Sequence, residues 1–306
     1  MTNRTARSLV GGAVDLHVHV RPSVRPRRAD SRQLVEEAAA LGMRGMLLKD
    51  HDRSTVPDAW HANALDVDVR AGGAVCLNAP SGGLNPAAAE AAIEMGADAI
   101  FFPTDSAFND GEFWSGVLSD PASKAAVVGE HRARRHTARI STLDAAGGLV
   151  PEVGQVIDLC AAAGVLVCTG HLGADEVTAV VEECASRGAR VVVTHAPVFT
   201  RADDDLMARW AASGALLELV VIFCCQSPQL PSEVWRSYET EAALIDRIGA
   251  DAFVLSTDLG QVGNPSPAEG LVAFVDGLLG EGISESAISR MTRVNPARAL
   301  GWEDLQ

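Results

Sequence analysis

The chain has 306 residues, 47% of them hydrophobic and 21% charged, which suits one large domain or two small ones with ample core. Its 25 Lys+Arg against 40 Asp+Glu leave a formal net charge of −15. Such a surface repels phosphate backbones and anionic lipid, so neither nucleic acid nor a membrane surface is an expected partner.

The N-terminal MTNRTARSLVGGAVDL lacks the apolar stretch of a signal peptide, and no apolar run reaches the length of a membrane span. In chain order the strand candidates are Ala13–Val18, Gly45–Lys49, Ala74–Leu77, Ala99–Phe102, Val165–Thr169, Arg190–Thr194, Ala215–Val221 and Ala252–Ser256. Helical periodicity predicts helices over Asp30–Leu41, Val56–Ala71, Pro86–Met95, Pro151–Ala163, Asp175–Arg187, Ala202–Ser213 and Glu233–Ile248. Several open on an Asp, Asn or Ser cap or a first-turn Pro, and several close on Gly, as at Gly42, Gly96, Gly164, Gly188, Gly214 and Gly249. Strands that are continuously apolar belong to a parallel sheet buried on both faces. The pattern predicts an α/β fold, a (β/α)8 TIM-type barrel in a single domain over residues 1–306. A doubly wound open sheet is the structural rival. The regular spacing breaks at Thr104–Gly148, read as an insertion over one barrel end, which carries the basic run HRARRH at 131–136. That run reads as a solvated loop face, or alternatively as an attractor for an anionic substrate. The six cysteines lie mostly in apolar runs and form no CxxC pair, so buried reduced thiols in a cytoplasmic protein are expected.

In such a barrel the chemistry sits at the C-terminal strand ends. The first strand ends in DLHVHVRP, where His17 and His19 share parity as two ligands of one metal would. The second ends in LLKDH, with Lys49 and His51 on one side; the fifth ends in CTGH with His171, the sixth in VTH with His195, and the eighth in STD with Asp258. Each alone has an ordinary structural explanation, such as a turn or a helix cap. Imidazoles and a carboxylate on four strand ends together match the donors of zinc or a similar divalent ion.

Carried by HVH at 17–19, His171, His195 and Asp258, the chain resembles the amidohydrolase superfamily of metal-dependent hydrolases. The resemblance implies a (β/α)8 barrel holding one or two divalent ions, usually zinc, with manganese or iron as alternatives. HVHVRP is similar to the HxHxR opening of dihydroorotases and related cyclic amidases, which implies that Arg21 anchors a substrate carboxylate. Segments such as LNAPSGGLNP, TLDAAGGLVPEV, CTGHLGADE, STDLGQ and NPARALG resemble an uncharacterised branch of the superfamily, which brings no known substrate. Two departures stand out. Binuclear members with a carboxylated lysine usually carry it on strand four, which here ends FFPTD. Of the 25 basic residues only Lys49 and Lys124 are lysine, and Lys49 lies at the end of strand two. A carbamate needs a primary amine, which guanidinium cannot replace, so Lys49 is the candidate bridge between two metals; the alternative is an ammonium that binds substrate or pairs with a nearby Asp. The second departure is the β-sandwich that many cyclic amidases add, for which no room remains before His17 or after Asp258.

The expected chemistry is hydrolysis of a C–N bond in a small amide, lactam or cyclic imide bearing a carboxylate. His17 and His19 would hold one metal, His171 and His195 the second, with Asp258 as last ligand and proton carrier. His51 is open between a metal ligand, an oxyanion donor, a substrate contact and a surface histidine; Asn78 is a candidate substrate contact that also reads as a turn former. The glycine-rich PSGGLNP lacks a P-loop lysine. Phosphoester hydrolysis, metal-assisted decarboxylation and a non-catalytic metal-binding barrel are the alternatives. The expected partners are a small-molecule substrate and further copies of the chain, as a homo-oligomer.

Overall fold

The structure, a computed structural model, describes residues 2–117 and 139–305. Its strand segments are β1 (Val14–His19), β2 (Gly45–Lys49), β3 (Arg70–Gly72), β4 (Ala74–Cys76), β5 (Ala99–Phe101), β6 (Leu166–Cys168), β7 (Val191–Val193), β8 (Leu216–Val220) and β9 (Phe253–Ser256). All pair in parallel and in chain order, β1 to β3 in one ladder and β4 to β9 in another. Only Gly73 separates β3 from β4, so these two are halves of one stave. At the other seam Val18 bridges Leu259, the His19 N–H donates to Leu259 O (2.8 Å), and the Asp258 N–H donates to His17 O (2.9 Å). Eight staves therefore run round a TIM-type barrel.

The helices are α1 (Thr2–Val10), α2 (Ser31–Ala40), α3 (Val56–Asn63), α4 (Pro86–Glu94), α5 (Phe108–Val117), α6 (Pro151–Ala163), α7 (Ala174–Arg187), α8 (Asp204–Ala212), α9 (Tyr238–Ile248) and α10 (Pro267–Gly280), followed by short C-terminal turns of helix. Asp30 caps α2 through its carboxylate, which accepts the Gln33 N–H at 3.0 Å, and the Gln33 side chain returns to the Asp30 N–H. Three sequence expectations change. The helix expected to Ala71 ends at Asn63, whose side-chain amide clamps both backbone groups of Ala71 at 2.8 Å and turns residues 70–72 into strand. The helix expected from Glu233 starts at Tyr238, where Ser237 supplies the cap. Helices α1, α5 and α10 fall outside the predicted stretches. No helix among the described residues is long and apolar enough to cross a membrane.

Alternate residues of the staves divide between two cores. Val14, Leu16, Leu47, Cys76, Phe101, Leu166, Val192, Leu216 and Val254 fill the barrel, and their neighbours Leu48, Val75, Ile100, Val167 and Val193 face the helices. Trp302 joins the inner set from below, with its indole N–H on Asp98 Oδ1 (3.0 Å) and the Arg70 guanidinium 4.5 Å from the ring centre. β1 changes sides part-way. A register shift between Asp15 and Val18 leaves Val14 and Leu16 inside the barrel but puts Val18 and Val20 against the helices. That bulge turns His17 and His19 inward.

Candidate metal centre

Above the apolar filling, the strand ends bring a polar cluster together. His17 Nε2 lies 3.2 Å from Asp258 Oδ1 and 2.8 Å from Lys49 Nζ; His19 Nε2 lies 2.8 Å from the same Asp258 oxygen. His195 Nε2 is 3.7 Å from Asp258 Oδ2. Lys49 is fully buried, with Nζ 4.5 Å from the Phe101 ring centre. The His171 ring lies 5.4 Å from that of His195 and stacks on Phe199 at 3.9 Å. Two groupings around His17 have the spacing of a cation site, one with His19 and Asp258 and the other with His195 and Glu218. A third joins His171 to Asp105 and Asp110.

The backbone is bent to reach these positions. His195 (φ 51°) and Asp258 (φ 53°) both occupy the left-handed region, which costs a non-glycine residue about 1–2 kcal/mol and occurs where a site over-determines the geometry. Two glycines make the turns fit. A Cβ on Gly170 (φ 64°) would stand 2.3 Å from Phe102 O, and one on Gly260 (φ 127°) would stand 2.0 Å from His19 O. Gly170 breaks the strand alternation directly before His171 and so aims it at the mouth.

Buried carboxylates stand behind the imidazoles. Glu218, 2% exposed within the apolar strand β8, faces His17 Nδ1 through both oxygens (3.2 and 3.3 Å) and accepts the His195 N–H at 3.2 Å. Asp110 Oδ1 accepts the Trp114 indole N–H at 3.2 Å and faces His171 Nδ1 at 2.7 Å. A carboxylate against Nδ1 places the ring proton there and leaves the Nε2 lone pair for a metal. Burial, aided by the charge of Arg27 and other cations, holds His19 well below the usual histidine range, and burial does the same to His51 and His195. These three imidazoles are neutral, as ligands must be. Burial also raises the Asp258 carboxyl, against the pull of His17 and Lys49. Asp15 pins the bulge: it accepts N–H groups of His17 and Thr257 at 3.0 Å and the Thr257 hydroxyl at 2.6 Å, and burial pushes its carboxyl up to about 7.

The donors fit a divalent cation. Neutral imidazoles and a carboxylate converge, and His19 Nδ1 is buried without a hydrogen-bond partner. Of the residues singled out from sequence, His17, His19, Lys49, His195 and Asp258 meet in one cluster, with His171 beside it. Arg21 does not join them: its side chain is 46% exposed, bonded to Gln33 (2.8 Å) and paired with Asp30 (3.4 Å) at the start of α2. Arg27, 7% exposed, lies nearer the centre, its backbone bridged to Gln261 beyond Asp258. Asn78 has a filled hydrogen-bond set. Its amide donates to His51 O (2.9 Å) and Thr104 Oγ1 (2.7 Å), and its oxygen accepts from the N–H groups of Thr104 and Ser106, so it ties two loops together. Lys124 and the basic run at 131–136 lie outside the described residues. The sequence reading missed Asp15, Asp105, Asp110 and Glu218; for Asp15 and Glu218 the signal was a charge inside an otherwise apolar parallel strand.

A family model described as a family of unknown function, DUF6282, matches residues 12–218. The chain belongs to DUF6282. The matched span includes His17, His19, Lys49, His171, His195 and Glu218, while Asp258 follows it. No curated protein matches this DUF6282 member. Solved structures do: an amidohydrolase from Pseudomonas aeruginosa (12% identity, 98% of each chain covered, TM-score 0.59) and the probable dipeptidase PvdM from the same organism (14% identity, 98% of each chain, TM-score 0.59). A variant organophosphorus hydrolase from Deinococcus radiodurans is also similar (17% identity, 96% of this chain and 94% of that one, TM-score 0.52). At these identities the likeness is one of fold, and it extends over nearly the whole DUF6282 chain.

Proposed function

We propose that the protein is a divalent-metal-dependent hydrolase that cleaves a C–N bond of a small amide, lactam or cyclic imide bearing a carboxylate. The observation that carries this reading is the convergence of His17, His19 and His195 on Asp258, with Glu218 behind two of the three. His17, His19 and Asp258 would hold one cation, with His171 and His195 for a second and Lys49 available as a carbamate between them. Zinc is the first choice for this donor set. When bound, the ion supplies water activation near neutral pH and polarisation of the substrate carbonyl. Asp258 takes the proton of the attacking water on a carboxylate oxygen and passes it to the departing nitrogen. Phe199 and Phe223, buried against His171 and His195, keep bulk water from the imidazoles. Arg27 supplies the positive charge that a substrate carboxylate needs, in the place expected of Arg21.

The test is metal analysis of the purified protein, with and without bicarbonate, followed by assay on cyclic imides, lactams, N-acyl amino acids and aryl phosphates. The expected result is bound divalent metal and turnover of a C–N substrate. The Asp258→Asn variant should lose turnover while keeping metal. Metal without turnover across the panel favours a non-catalytic barrel, turnover confined to aryl phosphates favours a phosphoesterase, and full activity of Asp258→Asn removes the proposed proton carrier.

A further inference from the structure

We propose that His51 is a further imidazole ligand of the metal centre, oriented for that task by Thr104 with Asp105 beside it; this rests on reading the centre as metal-binding. Two histidines at the barrel mouth hold Nδ1 in a hydrogen bond with a buried carboxylate, and a third, His51, sets Nδ1 beside one while bonding to Thr104 Oγ1. The pairs are His17 with Glu218 (3.2 Å), His171 with Asp110 (2.7 Å) and His51 with Asp105 (3.2 Å). In a first-row metal site this contact fixes the tautomer and turns Nε2 toward the ion. His51 resembles these two in having a carboxylate beside Nδ1, with the hydrogen bond itself made to Thr104 Oγ1.

Its position agrees. His51 follows Lys49, the last residue of β2, by two residues and is 6% exposed. Its ring stacks on His19 at 4.8 Å and lies 6.4 Å from that of His171, which puts it between the two histidine groups. Thr104 Oγ1 stands 2.9 Å from Nδ1, and Asn78 grips both that hydroxyl and the His51 carbonyl. Asp105 is 1% exposed and its charge is met by an ion pair with Arg25. The carboxylate therefore stands beside Nδ1 with its charge met, and Thr104 Oγ1 holds the ring. The loop after β5, which lacks the strand-four lysine of related barrels, reaches back through Thr104 and Asp105 to the imidazole just past β2.

The experiment loads the full-length protein with Co(II) and records metal stoichiometry, affinity by competition with a chelator, and the visible d–d spectrum. Variants are His51→Ala, the bulkier His51→Gln, Asp105→Asn, and His61→Ala on α3 as a control, each checked for folding by circular dichroism. Both His51 variants should change the spectrum and weaken one cation more than Asp105→Asn does, which itself should weaken it about 10–100-fold. His61→Ala should match the parent. Folded His51 variants with parental stoichiometry, affinity and spectrum would overturn the proposal, and a raised KM with unchanged metal would make His51 a substrate contact instead. A parent that takes up no divalent cation would fail the metal reading itself, an outcome distinct from parent and variant loading alike.

Discussion

Glu218 shows how a single residue sets the chemistry of others. An ionised carboxylate has no proton to donate, so against His17 Nδ1 it acts only as acceptor, which fixes the tautomer and leaves Nε2 for the cation. Replacing it by the nearly isosteric Gln removes that bias without opening a cavity. Glu218→Gln is expected to weaken metal binding about 10–100-fold, read by chelator competition, while the far-UV spectrum stays unchanged. Unaltered affinity would show that the barrel alone orients His17. From sequence, this residue was visible only as a charge within LLELV, and nothing local said that it faced inward beneath a histidine. Arg21 illustrates the converse. Its motif suggested an anchor in the site, but the exposed side chain bonds to Gln33 and pairs with Asp30 at the start of α2.

At the scale of elements, the staves do two tasks along their length. Their lower parts are apolar on the inside and closed from beneath by Trp302; their upper ends carry the polar cluster. These tasks are separable. Trp302→Ala removes a 1% exposed indole, its hydrogen bond to Asp98 and its contact with Arg70, and is expected to cost about 3–5 kcal/mol in chemical denaturation. Metal content should remain that of the parent, because the change lies at the opposite end of the barrel from the histidines. Coupled loss of metal would mean that the plug sets the geometry of the mouth. The β1 bulge is the element on which the site depends most. Period-two alternation places His17 and His19 on the same side as each other, as the sequence implies, but also on the side opposite Val14 and Leu16, which already fill the interior. Only a register shift puts both pairs inside, and its anchor is Asp15 reaching across to Thr257 on the last stave. Such a shift leaves no mark on hydrophobic periodicity.

For the molecule as a whole, metal and fold are linked by mass action. A cation bound only by the folded barrel at a hundred times its dissociation constant contributes about 2.7 kcal/mol. Chelation is therefore expected to lower the midpoint of thermal unfolding and readdition to restore it; an unchanged midpoint would show that the barrel carries no tightly bound ion. Thiol chemistry tests burial over the same scale. Burial pushes Cys76, Cys160 and Cys184 up to about 12, so their thiolates are scarce at pH 8, and iodoacetamide should leave them unmodified until denaturant is added. Fast labelling of all three in the native protein would contradict the packing described. The half-buried Cys225, which burial raises less, should react first. The sequence by itself determined the class of the fold and singled out the histidines and the aspartate of the candidate centre, because apolar runs, helix stops and strand-end histidines are local signals. Only the tertiary structure decided which of those residues meet. Closure of the ring brings Asp258 to His17 across the whole chain, the bulge turns β1, and loops after different staves bring carboxylates to the backs of imidazoles. These contacts join residues far apart in sequence, so no periodicity records them, and they separate a list of histidines from a site that can hold an ion.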